Sequence, residues 1–242
     1  MECILGPLGP LECSPAWRQI TMHVIVPMCF KDADDAIMCP WVIMHLGDQL
    51  KFTAQTMDRA AAVGRLDVVR WLSANRMEGC TTNAMGWAAE KGHLDVVRWL
   101  SAHGASCTTY AMNWAAGEGH LDVVRWLHEN RTEGCTVRAM NQAAAEGHLD
   151  VVWWLSANRT EGCTENAMDW AAAAGNLDVV RWLHENRSEG CTDNAINQAA
   201  ERGSLDVVQW LHERGYRCAA WACNRAAAKG HSDVVQWLLH NR

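Results

Sequence analysis

The sequence lacks the features of membrane and nucleic-acid-binding proteins. It contains no uninterrupted apolar run of the ~18–20 residues that a membrane-spanning helix needs. Its first residues make a poor secretory signal, because they include Glu2, Glu12 and three prolines but no basic leader. The net charge is −7, and no basic stripe is present to neutralise phosphates. We therefore expect neither a membrane nor a nucleic acid as partner.

The motifs of common catalytic and metal sites are also absent. No glycine-rich phosphate loop, nucleophile elbow or paired-carboxylate arrangement occurs in the sequence. There is no CxxC, the spacing with which many structural zinc sites begin. These absences predict a protein that is not an enzyme and that holds no metal and no cofactor.

What the sequence does contain is a repeat. The segment GHLDVVRWL at 92–100 returns at 119–127, and close variants of it begin at five further glycines. All seven glycines follow one another at steps of 27 or 28 residues, and a fixed period of this length is typical of solenoids. Such units stack on their neighbours and present one long surface. The glycines are Gly64, Gly92, Gly119, Gly147, Gly175, Gly203 and Gly230.

One unit predicts two short helices. Thr136 is a good N-cap for the alanine-rich segment that follows it, and Gly147 is a suitable residue to end that helix. A second helix then starts at Leu149 and ends near Asn158. Its aspartate favours the helix start, and we expect this repeated aspartate to pair with an arginine three residues on. The fold class is therefore all-α, a right-handed solenoid of helical hairpins.

The cysteines repeat with the units. Stacked helices lie ~8–10 Å apart, whereas a disulfide needs Cα atoms within ~7 Å. Equivalent cysteines in adjacent units are thus too far apart to join, and we interpret them as small packing residues in a reducing compartment. This interpretation predicts an intracellular, cytoplasmic protein. The six repeated positions are Cys80, Cys107, Cys135, Cys163, Cys191 and Cys218.

The segments AAEKGHLDVVRWL and AAAEGHLDVVWWL resemble the ankyrin repeat, whose second half runs A-A-x-x-G-H-x-x-V-V-x-x-L. The resemblance covers residues 51–242 in seven units. It implies a protein-interaction scaffold whose first helices line a concave groove. The units are shorter than the usual 33 residues, and the missing residues fall where the family carries its β-hairpin finger. We expect a plain loop there.

A second departure concerns the first helix. The family's Thr-Pro-Leu-His start is replaced, and asparagine stands where the family's histidine ties adjacent units by hydrogen bonds. We expect the asparagines to keep a similar tie. They are Asn113, Asn141, Asn197 and Asn224.

Residues 1–50 show no repeat and contain all five prolines of the chain. We predict a non-repeat segment there that is partly disordered and includes a degenerate cap on the first unit. No polar capping repeat follows the last unit, although solenoids usually need one.

Two tryptophan positions recur with different expected roles. The first, in the second helix, is invariant in all seven units, so we interpret it as core and inter-unit packing. Trp153 stands beside Trp154 where other units have arginine or glutamine, and we expect it to be exposed. The invariant tryptophans are Trp71, Trp99, Trp126, Trp154, Trp182, Trp210 and Trp237. Three histidines that follow the second-helix leucine, His128, His184 and His212, are expected to face solvent.

The second position lies in the first helix, five residues before the turn glycine, and varies between units. By the resemblance it lies on the groove, where tryptophan, arginine and glutamine favour an interface. Part of this tryptophan surface could equally be filling space between units. Following Arg59, the candidate partner-binding residues are Trp87, Trp114, Gln142, Trp170, Gln198 and Arg225.

The leading hypothesis is therefore an intracellular scaffold that binds a protein or peptide on its first-helix face. Two alternatives remain open at this stage. One is a drifting repeat array without a dedicated partner, which near-identical copies would also produce. The other is a metal- or redox-dependent regulator that uses the cysteines.

Overall fold

The computed structural model describes residues 51–241 together with Ile37, Ile43 and Met44. The predictions of a degenerate cap and of partial disorder in residues 1–50 otherwise lie outside the described residues. Ile37 and Ile43 are buried, and they belong to the same apolar core as Phe52 and Met57 at the start of the array.

Residues 51–241 form fourteen α-helices of nine or ten residues each. The predicted all-α solenoid of helical hairpins is confirmed, and helix α8 has the predicted bounds. Consecutive helices pair into seven hairpins, which we number units 1 to 7. In chain order the pairs are α1 (Ala54–Ala62) and α2 (Leu66–Asn75), α3 (Thr82–Glu90) and α4 (Leu94–Ala102), α5 (Thr109–Gly117) and α6 (Leu121–Asn130), α7 (Val137–Ala145) and α8 (Leu149–Asn158), α9 (Glu165–Ala174) and α10 (Leu177–Asn186), α11 (Asp193–Arg202) and α12 (Leu205–Glu213), and α13 (Ala220–Ala228) and α14 (Ser232–His240).

The first helices begin at threonine. In units 2 to 6 the threonine hydroxyl accepts a hydrogen bond from the second backbone N–H of the helix, as Thr136 does from Arg138 at 3.3 Å. This satisfies one of the donors that every helix start leaves without a partner. Unit 7 has Ala219 at this position and no side-chain cap.

The repeated aspartate lies in the first turn of each second helix, as predicted, but its partners differ from the prediction. The carboxylate of Asp95 accepts a hydrogen bond from the backbone N–H of Val96 at 2.9 Å, and Asp122 and Asp206 repeat this contact. Asp67 instead pairs with Arg65, two residues before it, at 2.7 Å. The predicted pairing with an arginine three residues on is wrong, because the carboxylate turns toward the helix N-terminus.

The turn glycine is needed for two reasons, as Gly119 illustrates. Its φ of +79° lies in the left-handed region that favours glycine. A Cβ added there would also lie 2.6 Å from the imidazole of His148 in the next unit. Wherever a histidine follows the turn glycine, it therefore packs on the turn of the preceding unit. Asn176 takes the same place and donates to the Ala145 carbonyl at 2.8 Å.

The first helices of adjacent units lie closer together than the second helices, and this difference curves the stack. The first helices of adjacent units pack closely through alanines that are fully buried, whereas the second helices touch their neighbours at few points. Wider spacing on the second-helix side bends the array toward the first helices. The first-helix face is therefore the inner side of the curve.

The invariant tryptophans pack against the core, and two of them, Trp154 and Trp210, are buried. These two rings make T-shaped contacts with His128 and His184 of the preceding units, with ring centroids 5.2 and 5.1 Å apart. His212 meets Trp237 in the same way. His184 is exposed, as predicted, whereas His128 and His212 are half-buried. Each of the three also lies against a ring of the next unit.

Polar ties join the first helices of adjacent units, as predicted for the asparagines. The Asn141 carbonyl oxygen accepts from the Thr164 N–H at 3.0 Å, and its amide donates to the Thr164 hydroxyl at 2.9 Å. Asn113 binds Thr136 identically, and Asn197 accepts from the Ala219 N–H at 2.7 Å. Asn224 is exposed on the last unit.

Two aspartates that the sequence analysis did not recognise form the same tie. Asp58 accepts from the N–H and hydroxyl of Thr81, and Asp169 does so from Thr192 at 2.8 and 2.5 Å. Burial raises the pKa of Asp169 above its ordinary value of 3.8, although the Thr192 donors oppose the shift. The folded protein therefore holds this carboxylate at some expense in stability at neutral pH.

We expect Asp169→Asn to raise the free energy of unfolding at pH 7 by up to about 1 kcal/mol, because an amide makes the same tie without a buried charge. A raised pKa means that the parent gains stability as the pH falls through the folded pKa. The advantage of the variant should therefore shrink between neutral pH and about 3.8. Urea denaturation at a series of pH values measures this, and an advantage that grows on acidification contradicts it.

The connections between units are loops, as the short period predicts, and no strand occurs in residues 51–241. In three successive loops an arginine pairs with the glutamate two residues on. The Nη2–Oε1 distance is 2.6 Å for Arg131 and Glu133 and also for Arg187 and Glu189, and Arg159 pairs with Glu161. We call these three pairs the loop ladder.

Candidate functional site

The candidate residues form one line along the inner face, which we call the variable row: Arg59, Trp87, Trp114, Gln142, Trp170, Gln198 and Arg225. Each occupies the equivalent turn of a first helix, so the stack places the seven side chains in adjacent layers. Arg59, Trp170 and Arg225 are exposed, and the other four are half-buried. Trp87 and Trp114 are therefore less exposed than the rings of an open aromatic patch would be.

Two members of the row also pack on the preceding unit. The Trp114 ring lies 3.2 Å from where a Cβ on Gly86 would stand, so the glycine makes room for the indole. The Cβ of Gln142 lies at the same distance above Gly117, and its side-chain oxygen is buried without a hydrogen-bond partner. Trp114 and Gln142 therefore fill space between units in addition to facing the groove.

Further aromatic side chains extend this surface. Tyr110 is 47% exposed and stacks on Trp114 with ring centroids 5.2 Å apart. Trp221 is 45% exposed. Both stand four residues before a row member, a spacing that puts two side chains on one helix face. The sequence analysis missed them, although this spacing could have identified them.

The C-terminal end of the row is polar. Glu201 binds Arg225 at 3.1 Å and Lys229 at 2.9 Å, and these two cations hold the pKa of the Glu201 carboxyl below its usual range. The Arg225 guanidinium lies 5.3 Å from the centre of the Trp221 ring. These residues line an open groove of about 320 Å³ between α11 and α13.

The geometry offers contact surface rather than reacting groups. In the part of the chain that the structure describes, no three His, Cys, Asp or Glu side chains come together to hold a metal ion. Burial raises the pKa of the Cys107, Cys135 and Cys163 thiols to about 11, so they stay protonated at neutral pH. None of the described helices is both long and apolar enough to cross a bilayer.

Comparison with known proteins gives one consistent family. A model of three ankyrin repeat copies matches residues 57–141 and 85–169, and a model of many ankyrin repeat copies matches residues 168–212 and 196–239. The chain is similar in fold to the crystal structure of the human ASB11 ankyrin repeat domain. The TM-score is 0.58 at 24% identity, covering 77% of this chain and 97% of that one. The search of curated proteins returned no match.

Proposed function

This chain belongs to the ankyrin repeat family, and on that premise we propose that its variable row binds a protein or peptide partner. Ankyrin repeats generally mediate protein–protein interaction and typically act as non-enzymatic scaffolds.

One observation carries the proposal. The fold accepts arginine, glutamine or tryptophan at the row position, yet the chain places large rings there and beside it. Trp170 is 40% exposed, and Tyr110 and Trp221 are more exposed still. Packing alone does not require these exposed rings. Tryptophan and tyrosine are the side chains most enriched among residues that dominate interface energies.

The shape of the array supports the same face. The first helices are the inner side of a curved stack, so their side chains converge on one elongated partner. The loops carry no β-hairpin finger that would cover the row. A protein or peptide that lies along the groove would therefore contact several units at once.

The cysteines support a reducing compartment. All seven cysteines in residues 51–241 are unpaired, and the repeated ones lie half-buried or buried against the core. Their protonated, packed thiols suit an intracellular protein. We therefore propose that the partner is an intracellular protein.

The test uses a triple variant with Trp87, Trp114 and Trp170 replaced by glutamine, the residue that two units already carry in the row. A stoichiometric partner is first purified with the parent protein. The variant should remain folded by circular dichroism and should bind that partner about tenfold or more weakly, as expected for the loss of interface anchors.

A matched control is available on the other face. Trp153 is 56% exposed on a second helix, so Trp153→Arg also removes an exposed ring but leaves the groove intact. It should bind the partner like the parent. The proposal fails if the triple variant binds equally well, if it unfolds, or if the control loses as much affinity.

A further inference from the structure

The loop ladder has a regular geometry. Arg159 lies over the preceding loop, with its Nη2 atom 2.6 Å from where a Cβ on Gly134 would stand. Arg187 lies over Gly162 in the same way, at 2.8 Å. Each ladder glutamate accompanies its arginine, so the pair forms one neutral unit above the loop of the unit before.

The guanidinium also reaches the second helix of the preceding unit. Arg131 donates from Nη1 to the Ser101 hydroxyl at 3.3 Å, and Arg159 contacts the His128 ring nitrogen at 3.2 Å. Ser101 and His128 both follow the second-helix leucine directly. For Arg159 and Arg187 a ladder position therefore consists of the loop glycine, this side chain and the nearby repeated cysteine. In the loop before Arg131, Ser106 stands in place of that glycine.

Unit 1 supplies all the residues of a ladder position, but unit 2 has no arginine–glutamate pair to occupy it. Its loop supplies Gly79 and Cys80, and Ser73 follows the leucine of its second helix. Nothing stands within 4 Å of where a Cβ on Gly79 would lie. An open cavity of about 530 Å³ is found there, lined by these three residues and by Arg76, Trp99 and His103, among others.

The vacancy has a cause in the sequence. Unit 2 should fill the position with its own loop, but residues 103–106 read His-Gly-Ala-Ser where residues 130–134 read Asn-Arg-Thr-Glu-Gly. The shorter loop lacks both members of the ladder pair. The other short loop, before unit 7, also leaves nothing within 4 Å of where a Cβ on Gly190 would lie. That loop brings Tyr216 close to Cys191, and this neighbour together with burial raises the pKa of Tyr216 to about 12.

We propose that this cavity is a binding site for an arginine side chain of a partner protein, presented two residues before a glutamate. The ladder defines the required chemistry, since three copies of that pair occupy equivalent positions in this chain. The partner's guanidinium would lie over Gly79 and donate to the Ser73 hydroxyl. Its own glutamate would neutralise the charge. The site lies at the loop edge of units 1 and 2 and is separate from the variable row.

The probe is the acetylated and amidated peptide Asn-Arg-Thr-Glu-Gly, a copy of residues 130–134. Added to the full chain, it should shift the indole N–H resonance of Trp99 saturably. At about twice its dissociation constant it should slow alkylation of Cys80 about threefold, because the bound fraction is protected. Alkylation of Cys163, which Arg187 and Glu189 already cover, should not change.

Two matched controls isolate the ladder chemistry. The peptide with citrulline in place of arginine keeps the shape without the charge and should have no effect. A protein whose residues 103–106 are replaced by Asn-Arg-Thr-Glu-Gly fills the cavity from within, and it too should give no response to the arginine peptide.

Three results would overturn the proposal. They are an equal response to the citrulline peptide, a response that persists in the loop-exchanged protein, and no response of the unmodified protein up to about 10 mM peptide, a limit beyond which affinity is negligible. If the loop-exchanged protein fails to fold, the comparison of the two peptides on the unmodified chain still decides the question.

Discussion

Replacing Trp154 with alanine is expected to lower the free energy of unfolding by about 3–5 kcal/mol. The Trp154 side chain is 8% exposed and belongs to the core. Its ring makes a T-shaped contact with His128 of the preceding unit. Alanine would leave a cavity between two units and remove a contact that joins them. Chemical denaturation followed by circular dichroism measures the loss.

Trp153 provides the control one residue away. Its side chain is 56% exposed, and four other units carry arginine at the same position: Arg70, Arg98, Arg125 and Arg181. Trp153→Arg should therefore change the free energy of unfolding by no more than about 0.5 kcal/mol. Similar losses of stability for the two substitutions would contradict the burial of Trp154 and the exposure of Trp153.

Asn141→Ala is expected to lower the free energy of unfolding by about 2–3 kcal/mol, although the side chain is small. Asn141 is 3% exposed and makes both bonds of its tie to Thr164. Alanine leaves the Thr164 N–H without its acceptor and removes one of the two donors to the Thr164 hydroxyl. An unsatisfied polar group at a junction between units is costly. The same denaturation experiment gives the value.

Asn141→Asp separates the hydrogen bonds from the shape of the side chain. Asp169 makes the equivalent tie one unit later, accepting from both donors of Thr192. The aspartate variant should therefore lose less than about 1 kcal/mol at neutral pH, because the Thr164 N–H keeps its acceptor and the Thr164 hydroxyl can donate to the carboxylate, as that of Thr192 does. If the alanine and aspartate variants lose the same amount, the tie is not what stabilises this junction.

The sequence was sufficient for the helix bounds and the helical phase within one unit, although it did not predict the partners of the repeated aspartate. The threonine cap, the turn glycine and the spacing of valine and leucine determine the bounds of α7 and α8, since these signals act within a few residues. The orientation of helix α8, which buries Trp154 and exposes Trp153, also depends on nearby residues only, because it follows from the helical period.

Features that depend on two units were harder to predict. The edge contact of His128 with Trp154 and the tie from Asp169 to Thr192 both join groups more than twenty residues apart. Nothing in the sequence near Asp169 indicates this tie, because its threonine partner belongs to the next unit. The vacant ladder position needed the loops of two units to be compared in space, because a one-residue deletion has no obvious meaning in the sequence.

The inter-unit ties also bear on how the chain reaches this structure. Each tie joins residues only 22 or 23 positions apart, and this separation stays the same however many units are stacked. Contact order is therefore low, which is typical of rapid folding. Folding can therefore nucleate at any adjacent pair of units and then propagate to the neighbouring units one at a time.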